Sequence, residues 1–211
     1  MSGTADATAS FPWPPADGAS IMDAWGRTWS GAALSPRRFF SKLPRTGSVG
    51  AAVLYYLSIG IPVAGADLFW TMVRGRADTA EVAAPGGLGQ WGPLVDFLIS
   101  PVWLLISLFL AAGVVHLLLK LFGAADGGYG LTTRVFAYAY APQILGIVPV
   151  AGAFAGFLWM VVVAVIGTSA AHRTTTGRAA AAILIPLSIA LTFVLVAELI
   201  MRAGGLLDLE M

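Results

Sequence analysis

The chain has 211 residues, 58% of them hydrophobic and only 11% charged, with a net charge of +1; a soluble domain of this size carries about 25% charged residues. A mean hydropathy of +0.82 requires lipid as solvent, and the near-zero net charge argues against nucleic-acid binding. The absence of cysteine excludes disulfides, thiolate metal sites and Cys nucleophiles, and the absence of asparagine excludes N-glycosylation acceptors.

Residues 1–18 are mostly small residues and proline with two Asp, a composition that cannot bury a core and reads as a disordered tail. They lack the basic and apolar regions of a signal peptide, so the first spanning helix is expected to act as the insertion signal. Residues 19–46 mix Trp25, Trp29, Phe39 and Phe40 with Arg27, Arg37, Arg38, Lys42 and Arg45. Aromatic rings beside cations suit the headgroup boundary of an anionic membrane. Pro36 and Pro44 break this stretch, which predicts short interfacial helices lying on the membrane. Trp25, Trp29, Arg37, Arg38, Phe39, Phe40 and Lys42 are its candidate lipid-surface contacts.

Residues 47–211 form the membrane domain. A bilayer core about 30 Å thick is crossed by roughly 20 apolar helical residues, and five runs qualify, near residues 49–70, 94–122, 131–148, 152–171 and 179–201. Pro62, Pro101 and Pro142 are expected to kink the first three. Period-2 alternation is absent from these runs, which argues against a β-barrel. The fold class is therefore all-α, a polytopic membrane bundle of five transmembrane helices with an N-terminal interfacial segment. With the N-terminus inside, nine basic residues face the cytoplasm (Arg27, Arg37, Arg38, Lys42, Arg45, Lys120, Arg134, Arg173 and Arg178), and three (Arg74, Arg76 and Arg202) lie outside. This bias predicts a cytoplasmic N-terminus and an external C-terminus.

Several segments together resemble a known family. They are Ser35-Pro36-Arg37-Arg38-Phe39-Phe40 with Leu43, Gly128-Tyr129-Gly130, the run Arg134-Val135-Phe136-Ala137-Tyr138-Ala139-Tyr140-Ala141-Pro142, Ile147-Val148-Pro149-Val150-Ala151-Gly152, Trp159, Ile166-Gly167 and Gly177-Arg178-Ala179. In order and spacing they are similar to the prokaryotic branch of the Yip family, five-span proteins named in eukaryotes for interacting with Rab-type GTPases. The resemblance covers roughly residues 34–200. It implies five spans, a cytosolic N-terminus, and a role in membrane traffic or organisation. The Asp-Leu-Tyr-Gly-Pro segment of the eukaryotic members is missing, which argues against Rab-type GTPase binding. The Ala- and Gly-rich, Asn-free composition fits a bacterial inner membrane.

Chemistry-bearing motifs are sparse. Gly87-Leu88-Gly89-Gln90-Trp91-Gly92 matches G-x-G-x-x-G, but between two spans it lacks the strand and helix that a dinucleotide site needs. His116 and His172 stand on different elements without a carboxylate at metal-ligand spacing. Neither a cofactor nor a metal is expected, and no catalytic constellation is found. Asp67, Asp96 and Glu198 fall at one membrane level, with Arg202 one turn beyond Glu198. They form a possible intramembrane polar cluster, since charge in lipid is costly. Gly152 and Gly156 make a G-x-x-x-G step suited to close helix packing. Pro142 frees the Tyr138 carbonyl, and the Tyr138 and Tyr140 hydroxyls could join it in a polar spot within the bundle.

The expected function is that of a non-catalytic integral membrane protein organising membrane or partner proteins. Its partners would be the lipid bilayer and other membrane proteins or copies of itself. Two alternatives remain open at this point. One is a small oligomeric transporter or channel, suggested by the kinked helices and the carboxylates. The other is an accessory subunit of a larger membrane complex.

Overall fold

The computed structural model describes residues 11–15, 18–74 and 91–207. Most of the expected disordered tail, and Gly87, Leu88, Gly89 and Gln90 of the G-x-G-x-x-G stretch, lie outside the described residues. Those described are helical or irregular, without a strand. Helix α1 spans Ile21–Leu34. The side chain of Ser20 accepts the Asp23 amide at 3.4 Å, capping the helix start. Its inward stripe is Ala24, Thr28 and Ala32, one residue per turn, with Ala33 alongside. The helix stops before Pro36, which opens the six-residue helix α2, Pro36–Ser41.

Four helices are long and apolar enough to cross a membrane: α3 (Val49–Val73), α4 (Gly92–Leu121), α6 (Ala151–Ala171) and α7 (Thr176–Leu207), the last qualifying over Thr176–Ala203. Pro62, Pro101 and Pro186 lie inside α3, α4 and α7 without interrupting them. At about 1.5 Å per residue α4 is about 45 Å long, so it exceeds the hydrocarbon core and must tilt or protrude.

The run expected as one continuous span over residues 131–148 is instead two pieces. Helix α5 covers Tyr129–Ala139, and a 3₁₀ helix follows over Ala141–Ile147. The cause is Pro142, which has no N–H to offer the Tyr138 carbonyl and so cannot extend the α-helix. Eight of the eleven α5 residues are buried, because α5 is the central post, touching α1, α3, α4 and α6. The tail of the 3₁₀ helix meets α3, where the Trp70 indole donates to the Ile147 carbonyl at 2.9 Å.

Helices α1 and α2 do not lie apart from this bundle. Phe40 of α2 is fully buried and presses on Gly167 of α6, where an added Cβ would stand 2.9 Å from its ring. Only a residue without a side chain allows that approach. Phe39 stacks on Phe11 (4.8 Å between centroids) and on Tyr138 of α5 (5.7 Å), and Tyr138 on Tyr55 of α3 (5.3 Å). The aromatic half of residues 19–46, expected on the lipid surface, thus builds part of the core. A ring removed from both water and lipid gains dense contacts that acyl chains do not supply.

Candidate functional site

Aromatic N–H groups fasten the N-terminal helices. Trp25 Nε1 donates to Ser58 Oγ at 2.8 Å, and Trp29 Nε1 to the Ala141 carbonyl at 3.0 Å. In return Trp159 of α6 donates to the Ala33 carbonyl at 2.7 Å, satisfying an acceptor in the last turn of α1 that has no intrahelical partner. Trp13 reaches the Ala51 carbonyl at 2.7 Å. The bonds of Trp13, Trp29 and Trp159 are partly buried, where a group left unpaired is costly. The basic half of the segment faces outward: Arg27, Arg37, Arg38 and Lys42 are all exposed. Arg27, Arg38 and Lys42 rim a groove of about 790 Å³ whose apolar walls include Phe11, Leu34 and Phe39. Cations around an apolar floor suit an anionic amphiphile or an acidic partner surface.

Behind this module lies a polar end shared by several elements. Arg45, just before α3, donates Nη1 to Asp126 Oδ1 at 3.0 Å and Nη2 to Oδ2. The guanidinium holds the Asp126 carboxyl below the usual carboxylate range. Arg134, 3% exposed, donates Nη2 to the Arg45 carbonyl at 2.8 Å and Nε to that of Gly130 at 3.3 Å. An added Cβ at Gly47 would stand 2.6 Å from Arg134 Nη1, so the linker before α3 is pinned to α5.

His116 of α4 and His172, which ends α6, meet across Thr132 of α5. His116 Nδ1 lies 2.9 Å from Thr132 Oγ1, which lies 3.1 Å from His172 Nε2. Burial pushes the His172 imidazole down to about 4, helped by His116, so the ring is neutral at pH 7. Spacing along the chain gives no signal for this pairing, because the α4–α5 turn and the α6 end meet only in the folded bundle. Buried threonine between two imidazoles on three helices has no sequence motif.

The remaining candidate residues separate. Asp67, Asp96 and Glu198 are each exposed, and Glu198 is bonded to Arg202 within α7 (Nε to Oε1, 2.9 Å). Among the described residues no three His, Cys, Asp or Glu side chains gather closely enough to hold a metal ion. Gly152 and Gly156 both face the 3₁₀ helix. A Cβ on Gly152 would collide with the Leu145 carbonyl oxygen, and one on Gly156 would stand 2.9 Å from that of Pro142. The Tyr140 ring lies 4.3 Å from that of Tyr56. Tyr138 sits within the aromatic cluster rather than in a polar spot.

No curated protein and no solved structure matches the chain. Residues 31–197 match the Yip1 domain, a stretch that begins inside α1 and ends inside α7, taking in α2, the central post and the polar end but not Trp13, Trp25 or Trp29. The chain belongs to the Yip family.

Proposed function

We propose that this chain is a non-catalytic, five-span protein of a bacterial inner membrane that organises membrane or partner proteins through its cytoplasmic face. Five crossings are favoured by the course of α5 and the 3₁₀ helix. They start beside His172 at the polar end and finish beside Trp70 near the opposite end of α3. Eleven α-helical residues at about 1.5 Å and seven 3₁₀ residues at about 2.0 Å add to about 30 Å, one hydrocarbon thickness. The excess of Lys and Arg around the polar end favours placing it in the cytoplasm.

The observation that carries the organising role is the two-sided build of α1–α2. Aromatic side chains fix these helices to the bundle while Arg27, Arg37, Arg38 and Lys42 stay exposed. A rigid basic platform at a membrane surface is suited to holding a partner or anionic lipid at fixed register. Reporter fusions after Asp78, at Ala125, after Thr175 and at Asp208 are expected to read outside, inside, inside and outside. An inside reading at Asp208 would contradict five spans. Purification in mild detergent is expected to retain a stoichiometric membrane partner that is lost on changing Arg37, Arg38 and Lys42 to Glu; retention of that partner by the triple variant would contradict the platform.

A further inference from the structure

We propose that the groove along α1 and α2 holds one anionic phospholipid, its phosphate met by Arg27, Arg38 and Lys42 and one acyl chain laid along Leu34, Phe39 and Phe11. The site belongs to the platform described above and rests on that reading for its setting at the membrane surface. At about 790 Å³ the groove falls within the usual range of ligand pockets, about 300–1,000 Å³. Its described lining residues include three cations and no Asp or Glu. Among the described ion pairs none of the three has a carboxylate partner. The rest of the lining is largely apolar: Leu34 is 68% exposed, and Pro12 and Pro15 stand with Phe11.

The groove is built by contacts that need no ligand. Phe11 packs on Phe39 at 4.8 Å, Trp13 bonds to the Ala51 carbonyl at 2.7 Å, and Trp159 holds the end of α1 through the Ala33 carbonyl. Gly31 admits the Phe39 ring so closely that an added Cβ would stand 2.7 Å from it. A preformed groove spares a ligand much of the ordering cost of binding. The spanning helices set its level. Phe40 of α2 meets Gly167, about one turn or about 6 Å from the polar end of α6. Trp159, bonded to the end of α1, stands about three turns or about 18 Å from that same end. The groove therefore descends from α2, near the polar end, to the α1–α2 corner at Leu34. A soluble acidic protein meets the α2 rim but has no use for a deeper apolar corner. A phospholipid uses both, with its phosphate at Arg38 and Lys42 and its chain below them. Arg27 lines the groove from α1, and the long stem of an arginine covers apolar surface while its charge stays at phosphate level.

The test uses the full chain in neutral detergent, titrated with phosphatidylglycerol or with phosphatidylcholine of the same chains and read by native mass spectrometry. One phosphatidylglycerol is expected to be retained in preference to phosphatidylcholine. Arg27→Gln with Arg38→Gln is expected to weaken its binding about tenfold or more. Arg173→Gln with Arg178→Gln, an equal loss of exposed charge outside the groove, is expected to leave it unchanged. Phosphatidylglycerol carrying a photoreactive diazirine on its acyl chain is expected to label the peptide holding Leu34 or that holding Phe11. The proposal is overturned if the two lipids bind equally, if the groove variant binds as the parent does, if the variant outside the groove loses as much, or if labelling misses both peptides. Groove-dependent binding of polyglutamate in place of phosphatidylglycerol would also overturn it, in favour of an acidic protein. Lipid is measured on the purified chain and the platform by its retained partner. A chain that keeps its partner through Arg37, Arg38 and Lys42 but shows no lipid preference loses the lipid site and keeps the platform; one that prefers phosphatidylglycerol but keeps its partner in the triple variant does the reverse.

Discussion

Phe40 in α2 has no exposed surface, whereas Phe193 in α7 is 74% exposed. Judged by neighbours in the sequence, the opposite would be expected. Phe40 follows two arginines and precedes a lysine, while Phe193 lies in an unbroken apolar run. In lipid, apolarity does not decide what is buried, because acyl chains are as apolar as leucine. What sorts the two regions is shape and polar handles. Helix α1 offers Ala24, Ala32 and Ala33 to its neighbours and α2 meets Gly167, so backbones come close and rings fill the remaining space. Indole N–H groups then close acceptors across the joints. The second half of α7, with Ile189, Leu191, Phe193, Val194 and Leu195 exposed, has large side chains all round and leaves them to the bilayer.

This contrast is sharpest in the two phenylalanines. Phe40→Ala is expected to cost about 3–5 kcal/mol through the cavity it leaves, whereas Phe193→Ala should stay within about 0.5 kcal/mol. Thermal unfolding in detergent measures both, and equal effects would break the comparison. The polar end adds a pH dependence. His172 titrates near 6.5 when unfolded and about 4 when folded, so the unfolded chain takes up the proton first. Stability is then constant above about pH 6.5 and falls as pH drops toward 4, by up to about 1.4 kcal/mol per unit. The charges bearing on the ring are His116 from α4, Asp126 from the α4–α5 turn and Arg45 before α3. Asp126 itself titrates below this window. Denaturation at pH 7.5 and pH 5 tests the slope, which His172→Gln should flatten.

Smaller effects separate the clamp from the surface. Trp159→Phe keeps the ring but removes the bond to Ala33, at a cost of about 1 kcal/mol. Trp103→Phe, at a position 64% exposed, should cost almost nothing. Smallest is Glu198→Gln: its pair with Arg202 is exposed on both sides, and such pairs contribute about 0–1 kcal/mol.

Much of the architecture was legible in the sequence because bilayer thickness sets a length that composition alone can meet. Helices α3, α4, α6 and α7 follow from apolar runs, and their ends differ by a few residues where caps rather than hydropathy decide. Pro142 signalled trouble in the third run, but the change to 3₁₀ geometry depended on α3 and α6 being there to receive it. The aromatic-basic segment was visible as a unit. Its two faces were not, since Trp25 and Trp29 suit an interface belt and a buried clamp equally, and only the positions of Ser58 and the Ala141 carbonyl choose between them. Asp67, Asp96 and Glu198 share a level in the five-span reading, but level does not fix rotation about each helix, and each is exposed. His116, Thr132 and His172 come together from three helices, a juxtaposition that no local spacing encodes.

Hydrogen–deuterium exchange over residues 24–43 tests the clamped platform most directly. The chain is compared in neutral detergent, in phosphatidylcholine nanodiscs, and in nanodiscs carrying anionic lipid. If tertiary contacts hold α1 and α2, the amides of Ala24, Thr28, Ala32 and Phe40 exchange as slowly as those of α5 in all three settings. Rapid exchange in neutral detergent, with protection appearing only when anionic lipid is added, would show that the membrane surface rather than the bundle orders these helices, and would contradict the account.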